Sequence, residues 1–205
     1  MRASVFIGTS VDGFIARADG ALDFLPPDGG EPHGYNEFFA SVDALVIGRK
    51  TYETVRAFPE WPYGQKRVVV LSRQSFEFSK GTARNIEQMS GDPGQIVAKL
   101  AASGIRHIYV DGGVTIQRFL RAGIIDRLII TRVPVLIGHG IPLFDALPHD
   151  IHLKHIATQT YKADWSRLNT KSSVNRCNCR ASRMMTRGRV KCLWLTDPRF
   201  AIALP

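Results

Sequence analysis

Three apolar runs in this chain stop at the same kind of place. DALVIG (43–48) runs into Arg49, Lys50 and Thr51, KRVVVLS (66–72) runs into Arg73, and IRHIYVDGG (105–113) runs into Val114 and Thr115. A short unbroken apolar run bounded by turn residues is the pattern of a strand buried on both faces, and such a strand needs cover on both sides. The segments between the runs can supply it. RKTYETVRAF, PGQIVAKLAASG (93–104) and VTIQRFLRAG (114–123) each carry helical periodicity, the last two closed by Gly104 and Gly123. Strands alternating with helices predict an α/β sheet covered by helices.

The remaining segments fit around that centre. ASVFIG (3–8) and DGFIA (12–16) read as a strand that resumes after a turn, and YNEFFASV reads as a short helix. The segment 21–34 is too punctuated by Pro and Gly for a regular element and is long enough to cover a site. IDRLIITRVPVLIG (125–138) is a long apolar stretch that Pro134 divides or places near a sheet edge, and IHLKHIATQTYK (151–162) alternates like a half-exposed strand.

Charge separates the chain into two parts. Residues 163–205 hold nine Lys and Arg against two Asp and Glu, which is most of the net charge of +9, together with all three cysteines and two of the three tryptophans. The body is nearly neutral. A basic tail is compatible with a nucleic-acid arm, but this one has no repeated spacing, amphipathic period or nucleic-acid motif, so nucleic acid is not the expected partner. Cys177-x-Cys179 lacks the two-residue gap and second pair of a structural zinc site, and His149, His152 and His155 lack a completing ligand, so no metal is expected. No apolar run reaches the ~18 residues that span a bilayer, and Asp12 interrupts the start before a signal-peptide core forms. The expected compartment is the cytoplasm.

The strand ends carry the chemistry. In an open α/β sheet ligands sit beyond the carboxyl ends of the strands, where helix N-termini and loop amides converge. Three such ends, at Gly48-Arg49-Lys50-Thr51, Leu71-Ser72-Arg73 and Gly112-Gly113-Val114-Thr115, suggest one extended anionic ligand. Gly112 and Gly113 would let backbone approach a pyrophosphate and Thr115 adds a hydroxyl, while Arg49, Ser72 and Arg73 could hold a ribose 2′-phosphate. That arrangement favours NADPH over NADH. Each end taken singly also reads as a plain strand-to-helix turn; their combination carries the cofactor reading.

The order GRKTYE, VVLSR and GG-x-T resembles dihydrofolate reductases. More specifically, SVDGFIA (10–16), VDGG (110–113) and DRLIITRVPVLIGHGIPLF (126–144) resemble the reductase domain of the bifunctional riboflavin-biosynthesis deaminase-reductases and its stand-alone relatives, over roughly residues 2–162. The resemblance implies a three-layer dihydrofolate-reductase-like α/β fold, with a central mixed, mostly parallel sheet and helices on both faces. It also implies NADPH-dependent hydride transfer to a small pterin-like, pyrimidine or related carbonyl or imine substrate. By position it places Ser10 and Asp12 beside the nicotinamide and Glu37 where a pterin-binding carboxylate would sit, which makes Asp12 and Glu37 the candidate proton donors. Phe38 is assigned to the substrate side, although core packing is the commoner role of such a residue. A homodimer is expected from the resemblance and from the apolar content of 126–144. The competing readings are a non-catalytic nucleotide-binding protein of the same fold and nucleic-acid binding through the tail.

The tail carries one further expectation. Relatives follow the strand at 151–162 with a second strand resembling G-L-V-Q-x-x-Y. Codons that spell Ala163 to Asn175 can also spell, one frame over, G-L-V-Q-T-E-Y-E-V-V-G and a stop. The reading is therefore a reductase domain over 1–162 and an atypical basic tail over 163–205, which is either a frame-shifted replacement of the last strand, leaving the strand at 151–162 as an unpaired edge, or a genuine extension.

Overall fold

Leu45, Val46 and Ile47, with Val68, Val69 and Val70, are fully buried, and their strands lie side by side. The computed structural model describes residues 1–25, 34–75, 85–161 and 165–173. These belong to one compact unit, Met1–Val174. The loop expected over 21–34 falls largely outside the described residues, as do Cys177, Cys179, Cys192 and the rest of the tail beyond 173.

The strands are β1 (Arg2–Ser10), β2 (Phe14–Ala16), β3 (Ala44–Gly48), β4 (Arg67–Leu71), β5 (Ile86–Met89), β6 (His107–Asp111), β7 (Arg127–Val133), β8 (Ile141–Pro142), β9 (Leu153–Thr160) and β10 (Ser166–Ser172). The helices are α1 (Tyr35–Ala40), α2 (Arg49–Val55), α3 (Pro93–Ala102) and α4 (Gly113–Arg121). Eight strands form one sheet in the order β5-β4-β3-β6-β1-β7-β10-β9, and β2 pairs with β8 in a small second sheet. The pairings from β5 through β7 are parallel, and β10 runs antiparallel to both β7 and β9. This is the mixed, mostly parallel sheet expected from the sequence.

Helices cover both faces. Ile96 and Leu100 of α3 and Ile116 and Phe119 of α4 pack with Val5, Val46, Val69 and Val110 on one side. Phe38 of α1 and Tyr52 and Val55 of α2 pack with Leu45, Ile47, Val68 and Val70 on the other. Local chemistry sets the helix ends: α3 opens on a capping box of Asp92 and Gln95 with Pro93 at its first position. Pro134 does end a strand, since β7 stops at Val133. Among the described residues no helix is long and apolar enough to cross a membrane.

Two features depart from the expectation. β9 is exposed along its whole length rather than on alternate positions. It is also not left without a partner, because residues 166–172, assigned to the tail, form β10 and fill the slot between β7 and β9. The ladder is made by main-chain groups, which any non-proline sequence supplies. The side chains fit the slot less well. Lys171 lies directly opposite Arg127 on one side and Lys154 on the other. Among the described residues no carboxylate pairs with any of the three. On the opposite face Ser166, Leu168, Thr170 and Ser172 alternate toward the side that holds Leu128 and Ile130.

Candidate functional site

Because β4, β3 and β6 are adjacent and parallel, their carboxyl ends come level. Gly48 pairs with Leu71, and Ile47 with Asp111. The three strand ends singled out in the sequence therefore form one rim. At its centre the chain backbones nearly touch side-chain hydroxyls. Gly112 caps α4 at φ 88, where a Cβ is disfavoured, and a Cβ there would also collide with the Thr51 hydroxyl. A Cβ on Gly48 would come within 2.9 Å of the Thr115 hydroxyl. Gly48, Thr51, Gly112 and Thr115 are thus brought together, with Gly113 next in the chain and close to Ile15 and Ile141, and the glycines leave a small-residue cradle beside the two hydroxyls.

The cations stand at the outer part of the rim. Arg49 is half-buried, paired with Glu53 at 3.2 Å and donating to Gln74 at 3.3 Å, which sets it beside the segment bearing Ser72 and Arg73. The Ser72 hydroxyl donates to the Gln74 carbonyl at 2.6 Å and so shapes that turn. Arg73 and Lys50 are exposed, Leu71 is half-buried, and Val114 projects outward at 66% exposure. The residues present fit a dinucleotide carrying a 2′-phosphate: a small-residue cradle for the pyrophosphate and the guanidinium groups of Arg49 and Arg73 on the rim nearby.

The residues expected on the substrate side are placed differently from one another. Ser10 is fully buried, and its hydroxyl accepts the Phe14 amide at 3.0 Å, closing the β1–β2 turn. Asp12 accepts the amides of Gly138 at 2.7 Å and Ile137 at 3.2 Å, which ties that turn to the segment after β7. The Ser10 hydroxyl and these amides hold its carboxyl below the usual range. Such a group stays ionised, the opposite of what proton donation requires. Glu37 is exposed in the first turn of α1. Phe38 is a core residue at 5% exposure, stacked on Phe6 at 5.1 Å and edge-on to Tyr109 at 5.1 Å.

The environment expected of a proton donor occurs at Asp111, a residue quoted in the sequence motif but given no role. Its Oδ1 accepts the Gly112 amide at 2.7 Å and its Oδ2 accepts the Tyr63 hydroxyl at 3.4 Å. Burial raises its pKa more than these two donors lower it. Around it stand aromatic rings. Tyr63 is 4% exposed, edge-on to Trp61 at 5.2 Å and stacked with Phe39 at 6.5 Å. Tyr35 stacks with Phe39 at 5.5 Å and meets Phe6 edge-on at 5.4 Å. Burial and the nearby Asp111 push Tyr35 up to about 12. A cavity of about 550 Å³ lies at the amino ends of β3 and β4, lined by Phe39, Asp43, Tyr63, Lys66 and Asn85 among others, so it does not coincide with the cradle. Asp111 could have been noticed from its place at the end of an apolar strand beside two glycines. Tyr63 could not, since WPYG reads only as a turn.

Comparison with known proteins bears on this geometry. A family model described as the RibD C-terminal domain matches residues 4–166. The chain belongs to the RibD C-terminal domain family. Its relatives include the uncharacterised YwjB of Bacillus subtilis, 31% identical over 160 residues that cover 77% of this chain and 90% of YwjB. The riboflavin biosynthesis protein RibD of Corynebacterium ammoniagenes is 26% identical over 165 residues, covering 75% of this chain and 46% of that protein. Among solved structures, a Shewanella sp. PV-4 protein whose name places it in riboflavin biosynthesis is 36% identical, with a TM-score of 0.79 over 85% of this chain and 100% of its own. The deaminase/reductase of Thermotoga maritima superposes with a TM-score of 0.66 over 83% of this chain and 56% of that one; at 13% identity it shows the fold alone. RibD C-terminal domain membership supports a reductase-type function, and the sheet is the dihydrofolate-reductase-like arrangement of that family.

Proposed function

We propose that this RibD C-terminal domain relative is an NADPH-dependent reductase of a small planar heterocycle bearing a C=O or C=N group. The observation that carries the reading is Asp111, a carboxyl held toward its protonated form at the end of β6, one residue from the glycine cradle. Gly48, Thr51, Gly112, Gly113 and Thr115 would hold the pyrophosphate, and Arg49, Ser72 and Arg73 the 2′-phosphate. When bound, NADPH supplies the hydride that adds to the substrate carbon.

Asp111 gives its proton to the heteroatom of the reduced double bond and is reprotonated from solvent. Burial shifts its pKa upward, the direction a proton donor needs. The rings of Phe6, Tyr35 and Phe39 offer flat apolar surface beside it for a heterocycle. Ser10 and Asp12 hold the adjoining turn in place, which assigns Asp12 an ionised, positioning part; Glu37 remains a surface carboxylate available to a substrate's edge.

The test is NADPH oxidation against a panel of pterins and ribosylaminopyrimidines, with Asp111→Asn, Asp12→Asn and Glu37→Gln compared. Asp111→Asn is expected to lose about 10²-fold or more in kcat while NADPH affinity stays within about twofold. Parent-level turnover by Asp111→Asn would overturn its role. NADPH binding with no turnover of any compound on the panel would favour a non-catalytic nucleotide-binding protein.

A further inference from the structure

Asp111 faces few groups that can stabilise its charge. From α1 comes Tyr35, from β6 Tyr109, from the N-terminus of α4 the Gly112 amide, and from the turn before β4 Tyr63. Tyr109 spends its hydroxyl elsewhere, donating to the Phe6 carbonyl at 2.8 Å. Among the described residues no Lys, Arg or His pairs with Asp111. Among the described residues Gly112 and Tyr63 donate to the carboxyl, and of these two Tyr63 is the one that a side-chain change can remove.

Tyr63 is fixed in that position from several sides. Trp61 meets its ring edge-on at an interplanar angle of 85°, and Phe39 stacks on it at 25°. Its carbonyl accepts the Lys66 amide at 3.0 Å, which closes the turn that carries it. The Lys66 ammonium sits 5.4 Å from the centre of the Phe39 ring and donates to the Val42 carbonyl at 2.5 Å, which anchors the turn to the end of the α1 region. A phenol held this tightly, with its hydroxyl aimed at a carboxyl 48 residues away, has a narrow choice of partners.

We infer that Tyr63 is a positioning residue that favours the ionised form of Asp111, by donating to its carboxylate from a ring clamped between Trp61 and Phe39. The catalytic consequence rests on the proposed reductase reading, but the pairing itself does not. The direction follows from the geometry. A donor to the ionised form lowers the pKa of the acid, so loss of the hydroxyl raises it further and keeps Asp111 protonated to higher pH.

The experiment titrates the carboxyl carbons of protein labelled with 13C-aspartate by NMR, using Asp111→Asn to assign the Asp111 signal. Tyr63→Phe, which keeps the ring and its packing, should move the Asp111 midpoint up by roughly one pH unit. Tyr109→Phe should leave the midpoint in place, because its hydroxyl bonds to Phe6. The descending limb of kcat against pH should move in the same direction as the midpoint in Tyr63→Phe. An unchanged or lowered midpoint in Tyr63→Phe overturns the inference, as does an equal rise in Tyr109→Phe. A midpoint that rises while turnover shows no matching limb upholds the Tyr63 pairing and counts against the acid role of Asp111 in the reaction.

Discussion

Lys171→Glu should stabilise the protein, which is unusual for a single charge reversal at an exposed position. In β10 this residue stands between Arg127 and Lys154, each directly across a strand boundary. A like-charged pair in that relation costs, and an opposite pair contributes, about 0.2–1 kcal/mol. Reversing two such pairs at once gives about 1–2 kcal/mol after solvent screening is allowed for, since Lys154 and Lys171 are both exposed. For a domain of this size that is a rise in Tm of roughly 3–6 °C. Differential scanning calorimetry at ~20 mM salt is the assay. Repeating it at ~1 M salt, where the Debye length is about 3 Å, should erase most of the gain. Asn169→Glu should add to it, because Arg127 already donates to Asn169 at 3.0 Å and its guanidinium lies near Arg2 and Arg167. A Tm that is unchanged or lower in Lys171→Glu at low salt would show that the cation row costs nothing, and the reasoning would fall. The same substitutions test the alternative coding frame. That frame puts glutamate at positions 169 and 171 and Val, Tyr and Val at 166, 170 and 172, on the face of Leu128 and Ile130. The family match also ends at residue 166, the first of β10. Sequencing the gene across codons 163–175 reads the frame directly, and a 205-residue form that melts above a version ending in AGLVQTEYEVVG would refute the structural argument for it.

Arg49→Ala and Arg73→Ala should each weaken NADPH about tenfold and leave NADH unaffected, measured by fluorescence titration; equal losses for both cofactors would remove these arginines from the 2′-phosphate site. Asp111→Asn should stabilise the fold with increasing effect as pH rises, because a carboxyl whose pKa is raised on folding contributes stability at low pH and loses it as it ionises; a Tm gain that is the same at pH 4 and pH 8 would contradict this. Asp12 has the opposite sign, so the stability it contributes should fade as pH drops below the ordinary carboxylate range, and Asp12→Asn should speed amide exchange at Ile137 and Gly138. A homodimer is expected, with Leu136, Phe144, Leu153 and Ile156 as exposed apolar residues available to cover it; light scattering that finds only monomer at micromolar concentration would count against it.

The central strands were legible because burial on both faces leaves an unbroken signal, as in Leu45–Ile47 and Val68–Val70. α3 was legible because PGQIVAKLAASG carries helical periodicity and ends at Gly104; the capping box of Asp92 and Gln95 at its start was passed over. β5 was missed: Ile86-Glu-Gln-Met89 alternates too little to be read, and it forms by pairing with β4 at the sheet edge. β10 was missed because nothing in SRLNTKS asks to be a strand; it becomes one through main-chain bonds to β7 and β9. The meeting of the three strand ends that form the proposed phosphate cradle followed from residue types at those ends, which are local. The acid did not. The state of Asp111 depends on a tyrosine 48 residues earlier and on rings from α1, and no window of sequence contains them together.

β1 lies in the interior of the sheet, held by β6 on one side and β7 on the other. On a ribosome this strand is made before its partners, which come about 100 residues later, a delay of roughly 5–20 s at 5–20 residues per second. Throughout that interval an apolar segment with both edges open waits for parallel partners, the slowest kind of pairing to form. The nascent chain is therefore most vulnerable at β1, and conditions that slow translation between residues 11 and 133 should lower soluble yield more than the finished protein's stability would suggest.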